Sequence, residues 1–209
     1  MNLQTAFDFI DLGRSLEIAS QVAPHSQWLE VGTSLIKSEG IRSVREFKAR
    51  FPANVIVADM KILDAGEREA KLACDNGADI VVVEAGAGDG TVEAARKVAR
   101  AAGVKLMYDL FGVEDLARSA ARARALGMDY LCFHKSTDAA GVGGFLADFH
   151  TFRGLAGLPM AVAGRIDDDT IGELLPLAPE TLIIGGAITG AADPGAAARH
   201  FRARLDAGR

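Results

Sequence analysis

The chain has 209 residues, enough for one domain with a sizeable core and little to spare for a second. It is 49% hydrophobic with a net charge of −5, which excludes a broad basic face for nucleic acid or an anionic membrane and leaves room only for a local basic pocket. The opening Met1-Asn2-Leu3-Gln4 has no basic segment leading into an apolar stretch, and no apolar run approaches the roughly 20 residues of a membrane span, so a cytoplasmic location is expected.

Eight short apolar runs alternate with longer helical patterns. The first run, 3–9, ends around Asp8, and a helix over 13–23 follows with Leu16, Ile18, Ala19 and Val22 on one side. The second run, 28–32, carries Glu30. The third, 54–59, contains Val55-Ile56-Val57 and ends in Asp59 and Lys61, with Asp64 in the loop beyond. A helix over 65–76 holds Cys74, and Gly77-Ala78-Asp79 stops it, since glycine just past the last turn is the usual helix terminator.

The fourth run, 79–84, is Ile80-Val81-Val82-Val83 closing at Glu84. Gly86-Ala87-Gly88-Asp89-Gly90 after it has the wrong spacing for a dinucleotide fingerprint and reads as a flexible loop. The fifth run, 105–110, ends at Asp109. A helix over 114–126 stops at Gly127-Met128-Asp129 and feeds the sixth run, 129–134, with Cys132 inside it and His134 at its end. The seventh, 160–164, runs out at Gly164-Arg165, and the eighth, 181–185, at Gly185-Gly186. Asp193-Pro194 is an N-cap followed by proline at the first helical position, opening a helix over 194–207. The tail 205–209 is expected to fray. Cys74 and Cys132 match no metal spacing and read as buried free thiols of a reducing compartment.

Continuously apolar strands belong to parallel sheets buried on both faces. Eight of them with intervening helices predict an α/β fold, a (β/α)8 TIM barrel forming a single domain over 1–209. An open doubly wound sheet is the competing architecture, although it usually has five or six strands.

In a barrel, strand ends converge on one mouth, where such enzymes keep their chemistry. Asp59 and Lys61 are two apart and so predicted to share a face. A lysine among carboxylates stays charged in a cleft, either as a structural ion pair or as a working cation. Glu30 and Asp59, on adjacent strands, either hold one magnesium ion or simply pair with Lys61. His134, facing that cluster, is an acid/base candidate near neutral pH. Gly185-Gly186 before Ile188-Thr189 reads as a phosphate cradle or, failing that, a tight turn.

Asp59-Met60-Lys61-Ile62-Leu63-Asp64-Ala65-Gly66 resembles the D-x-K-x-x-D-A-G signature of the orotidine-monophosphate-decarboxylase superfamily. The branch it is most similar to is that of 3-hexulose-6-phosphate synthase and 3-keto-L-gulonate-6-phosphate decarboxylase. The resemblance extends through Glu30-Val31-Gly32-Thr33, Glu39-Gly40, Gly77-Ala78-Asp79, Asp109-Leu110, Leu126-Gly127-Met128-Asp129-Tyr130, Val162-Ala163-Gly164 and Ile184-Gly185-Gly186-Ala187-Ile188-Thr189.

The resemblance implies a homodimeric barrel that uses Mg2+ and an enediolate intermediate on a small phosphorylated sugar. Glu30 and Asp59 would help bind the metal, Glu30 also lying by the substrate. Lys61 would face the enediolate oxygen, and Asp64 would reach across from the partner subunit. His134 would carry the proton, Asp109 would hydrogen-bond substrate or water, Asp8 would meet sugar hydroxyls, and Gly185 and Gly186 would hold the phosphate. Asp109 favours the synthase, an aldehyde-lyase joining formaldehyde to ribulose 5-phosphate, over the carboxy-lyase. A decarboxylase of a β-keto sugar-acid phosphate and a non-catalytic phosphosugar-binding barrel are the alternatives.

Three departures from the pattern stand out. Lys135-Ser136-Thr137-Asp138-Ala139-Ala140 lacks the glutamine that the synthases usually carry there, Gly164-Arg165 replaces Gly-Gly, and Val83-Glu84-Ala85 replaces Val-Leu-Gly. Glu84 and Arg165 are expected either to pair with each other or to leave Arg165, beside Gly164, to grip the phosphate.

Overall fold

The structure, a computed structural model, describes residues 1–135, 149 and 157–208. Its strands are β1 (Asn2–Phe7), β2 (Trp28–Val31), β3 (Val55–Ile62), β4 (Ile80–Glu84), β5 (Lys105–Asp109), β6 (Tyr130–His134), β7 (Met160–Ala163) and β8 (Thr181–Ile184). They are parallel and close into a barrel in sequence order, β1 pairing with β8 from Asn2↔Thr181 to Thr5↔Ile184. The predicted (β/α)8 barrel is therefore the observed architecture, and the open sheet is excluded.

The described helices are α1 (Leu12–Val22), α2 (Thr33–Glu39), α3 (Arg42–Arg50), α4 (Gly66–Asp75), α5 (Asp89–Ala102), α6 (Leu116–Ala125), α7 (Ile171–Leu174), α8 (Gly186–Thr189) and α9 (Pro194–Ala207). Their starts are chemically marked. The carboxylates of Asp11, Asp115 and Asp193 accept hydrogen bonds from the amides of Arg14, Arg118 and Ala196, satisfying donors that a helix leaves unpaired. Both Gly-x-Asp turns work alike. Gly77 and Gly127 take left-handed φ of 87° and 68°. The following aspartates then accept from the preceding strand: Asp79 from the Ile56 amide and Asp129 from the Leu106 amide. Among the described residues no helix is long and apolar enough to cross a membrane.

Two cores result from the strand period. Residues facing outward, such as Phe7, Leu29, Ile56, Val81, Tyr108 and Leu131, pack under the helices with Phe47, Val92 and Phe201. Those facing inward form a separate plug of Ala6, Trp28, Val57, Ile80, Val82, Met107, Cys132, Ala161, Ala163 and Ile183. The plug fixes the site, because the next inward position on each strand lies two residues on. Ala6 is followed by Asp8, Trp28 by Glu30, Val57 by Asp59, Val82 by Glu84, Met107 by Asp109, Cys132 by His134, Ala163 by Arg165 and Ile183 by Gly185.

Several expectations need correction. Gly86–Gly90 is not a flexible loop: Gly88 caps α5, Asp89 and Gly90 belong to its first turn, and Ala85 and Ala87 are buried. Cys74 is only half-buried, on the flank of α4, whereas Cys132 is buried as expected; both are free. The tail does not fray through Leu205, which is fully buried as α9 continues to Ala207. Arg209 lies outside the described residues.

Candidate active site

The strand ends open into one cavity of about 820 Å³. Its wall includes Asp8, Glu30, Asp59, Lys61, Asp109, His134, Gly164, Arg165, Gly185 and Gly186, so ten of the expected site residues meet there. Ala6 and Ala163 also line it. With methyl side chains on β1 and β7, the plug leaves space on that side.

Lys61 is the centre of the acidic wall. Its Nζ donates to Asp109 Oδ2 at 2.8 Å and lies 3.3 Å from Asp59 Oδ1 and 3.7 Å from Glu84 Oε1. Simple alternation does not bring it there. The β3–β4 pairing slips between Ala58 and Ile62, and Lys61 has a left-handed φ of 45°. A side chain is sterically strained in that region, and surrounding contacts must hold it. Burial opposes the ammonium charge, but Asp59, then Asp109 and Glu84, outweigh it and hold Lys61 above the usual lysine range.

Asp109 joins that cation to His134. Its Oδ2 lies 2.9 Å from His134 Nδ1, and its Oδ1 accepts from the Phe111 amide at 3.0 Å. Burial would raise its pKa, but the hydrogen bond and charge of His134, then Lys61, hold it below the ordinary value. Orienting Nδ1 toward a carboxylate leaves Nε2, which has no hydrogen-bond partner among the described residues, as the position for proton transfer. The Phe111 ring lies 5.2 Å from that of His134.

Glu30 and Asp59 form the second polar group. Glu30 accepts from Gln4 Nε2, and Asp59 Oδ2 accepts from Thr33 Oγ1 at 2.7 Å. Burial, then Asp59 and Asp8, push Glu30 well above the ordinary carboxylate range. Asp8, at the rim, is raised by partial enclosure and then by Asp59. Asp59 Oδ1 and Gln4 Oε1 are buried without hydrogen-bond partners. Gly32 permits the crowding: a Cβ there would stand 2.2 Å from Asp8 Oδ1.

The opposite wall is built differently. Gly164 has φ 112°, and a Cβ on it would meet the Lys135 carbonyl at 2.3 Å. Arg165 follows with a left-handed φ of 48° and is exposed. Gly185 and Gly186 open α8, where the first amides of a helix have no internal partner. A Cβ at Gly186 would meet nothing within 4 Å, so the backbone there faces open space.

A family model, that of the Orotidine 5'-phosphate decarboxylase / HUMPS family, matches residues 1–201. The chain belongs to this family. It is 39% identical over 206 residues to a protein of Mycobacterium gastri named 3-hexulose-6-phosphate synthase, covering 98% of this chain and 100% of the relative. A crystal structure of 3-hexulose-6-phosphate synthase superposes with a TM-score of 0.92 at 38% identity, covering 98% of this chain and 100% of that one. One of KGPDC from Streptococcus mutans, solved as a complex, gives 0.93 at 27% identity, covering 99% and 97%.

Within this family barrel the signature segment divides. Asp59 and Lys61 enter the cavity, but Asp64 is exposed, its Oδ1 accepting from the Ala65 amide at 2.7 Å, and it does not line the cavity of its own chain. Glu84 pairs with Lys61, not with Arg165, whose guanidinium has no ion-pair partner among the described residues. Residues 136–140, where the glutamine is missing, lie outside the described residues. Two supporting residues went unremarked in the sequence. Gln4 is a polar residue in an inward position of an apolar strand, a signal that could have found it; Thr33 orients Asp59 and carried no signal beyond its motif.

Proposed function

We propose that this chain is an aldehyde-lyase of the 3-hexulose-6-phosphate synthase type, joining formaldehyde to ribulose 5-phosphate or running the reverse cleavage. The observation that carries the reading is the set Lys61–Asp109–His134 on one cavity wall, in a chain whose near full-length relatives are named for that activity.

The acidic pair fits a divalent cation. Among the described residues Asp59 Oδ1 has no hydrogen-bond partner and only the Lys61 ammonium 3.3 Å away, and burial disfavours the charged form of Glu30 beside it. Magnesium takes one or two carboxylates together with substrate oxygens. Glu30 and Asp59 would hold Mg2+, which when bound supplies positive charge beside the substrate's carbonyl and hydroxyl oxygens.

His134, aligned by Asp109, takes a proton from C1 of ribulose 5-phosphate. Lys61 faces the negative charge that develops on the adjacent oxygen, an electrostatic role needing no further proton transfer. C1 then bonds to the formaldehyde carbon, and the new alkoxide recovers the proton from His134. Asp8 meets sugar hydroxyls. Gly185 and Gly186 offer backbone space to the phosphate, Gly164 lines the same cavity, and Arg165 offers its charge. The exposed position of Asp64 supports a homodimer in which it completes the partner's site.

The test is to mix the purified protein with ribulose 5-phosphate and formaldehyde, with and without Mg2+, and follow both substrates. Magnesium-dependent loss at a catalytic rate is expected. No loss, with turnover instead of a β-keto sugar-acid phosphate, would replace this reading by the decarboxylase; no turnover of either would leave a binding barrel.

A further inference from the structure

Glu84 ends a strand of uninterrupted apolar residues, and the structure gives it a specific neighbour. It is the last residue of β4 and pairs in register with Asp109 on β5, so the two carboxylates stand side by side at the inner face. Lys61 on β3 bridges them, 2.8 Å from Asp109 and 3.7 Å from Glu84. The charged and titratable groups facing Glu84 are Asp109, Lys61, Asp59 and, from β6, His134. The Glu84 side chain is 15% exposed, lies beside Lys61 and is not one of the cavity-lining residues.

The segment that carries Glu84 is held on both sides. The Ala85 amide donates to the Asp109 carbonyl at 2.9 Å. Arg122, from α6, donates through Nη1 to the Ala85 carbonyl at 2.6 Å and to the Tyr108 hydroxyl. It also donates through Nη2 to the Ala87 carbonyl and through Nε to Asp89 at 2.7 Å. The Tyr108 hydroxyl donates to the Ala85 carbonyl at 3.1 Å. A surface glutamate needs no such clamp.

Lys61, by contrast, has a strained backbone and a long flexible stem. Two anions, Asp59 from β3 and Asp109 from β5, compete for its ammonium at 3.3 and 2.8 Å. A third beside Asp109 limits the directions left to it. We propose that Glu84 is a positioning residue for Lys61, the third carboxylate of a collar that keeps the ammonium against the β3–β5 wall and aimed at the reacting oxygen. This rests on the reading of Lys61 as the cation that meets the developing negative charge.

Glu84→Gln keeps the shape and removes the charge, and Glu84→Asp keeps the charge on a shorter stem. Crystal structures of the parent and Glu84→Gln proteins in the same crystal form read the Lys61 Nζ position directly and without turnover. In Glu84→Gln the ammonium is expected to leave Asp109, Nζ–Oδ2 lengthening from 2.8 Å to beyond about 3.5 Å or splitting between two conformers. Glu84→Asp should displace it less. With ribulose 5-phosphate and formaldehyde, Glu84→Gln should lower kcat by about tenfold with KM within about twofold, because the contact matters when charge develops. A Lys61 Nζ in the parental position in Glu84→Gln overturns the proposal, whatever happens to kcat. A displaced Nζ in a protein whose parent is inactive on those substrates leaves the collar standing and rejects the reaction instead.

Discussion

The two walls of the cavity are made on different principles. From β2 to β6 the side chains are enclosed and tied to one another, Thr33 to Asp59, Lys61 to Asp109 and Asp109 to His134, with Gln4 of β1 closing on Glu30 from the side. From β7 to β1 the wall presents Ala163, Gly164, Arg165, Gly185, Gly186 and Ala6, that is methyls, bare backbone and an exposed cation, together with the exposed carboxylates of Asp8 and Asp167. The first wall is preorganised for charge that appears only during reaction. The second is shaped for a group that arrives already charged. Changes on the first should therefore act on kcat, and changes on the second on KM.

The strongest way to break this division is Asp59→Ala. It removes a cation ligand and one of the anions around Lys61, and kcat/KM should fall on the order of 10³ or more while the far-UV circular dichroism stays that of the parent. Retention of most turnover would remove Asp59 from the chemistry and reduce the acidic wall to an ion-pair cluster.

A moderate effect is expected on the other wall. Arg165→Ala and Arg165→Gly should each raise KM for the phosphorylated substrate roughly tenfold with little change in kcat, since a phosphate is held equally before and during reaction. The two variants should differ in stability. Arg165 sits at φ 48°, so glycine relieves strain that alanine keeps, and Arg165→Gly should be the more stable by about 1 kcal/mol in urea unfolding. Equal KM in parent and variants would take the phosphate away from Arg165.

The smallest effect concerns stability and pH. Burial, then Asp109, pushes the Glu84 carboxyl from 4.5 up to about 7. Between those values the folded chain keeps a proton that the unfolded chain has released. Stability from this group is therefore present below about 4.5 and lost as pH rises through about 7. Glu84→Gln should match the parent near pH 5 and exceed it in urea unfolding at pH 8. An identical gap at both values would show that Glu84 does not titrate in this window. A variant both slower and more stable is what a residue kept for function rather than folding would give.

The barrel and most of its mouth were legible because one rule governs both. Eight apolar runs, each closed by a residue of different chemistry, project directly onto eight inward rows. The rule failed where the backbone leaves ideal geometry. The slip in β3 and the left-handed Lys61 have no signature in Val55–Ile62, and Lys61 reaches Asp59 by a route that alternation does not describe. Tertiary contacts also defeated local signals. A glycine-rich segment that looks mobile is clamped by Arg122, which lies far along the chain, and a charged tail holds Leu205 against the core. Asp64 was recognisable through its motif alone, whose resemblance carries it toward a partner subunit, and it does not line the cavity of its own chain.

Every inward row has a stem and a head: Val57 below Asp59, Val82 below Glu84, Met107 below Asp109, Cys132 below His134. The stems interlock beneath the cavity, whereas the heads bond mainly to one another and to the nearby Thr33 and Phe111 amide. One codon can therefore exchange a head, Glu84 and Arg165 among them, without disturbing the chassis. A barrel built this way can drift between neighbouring reactions in single steps, each intermediate still folded.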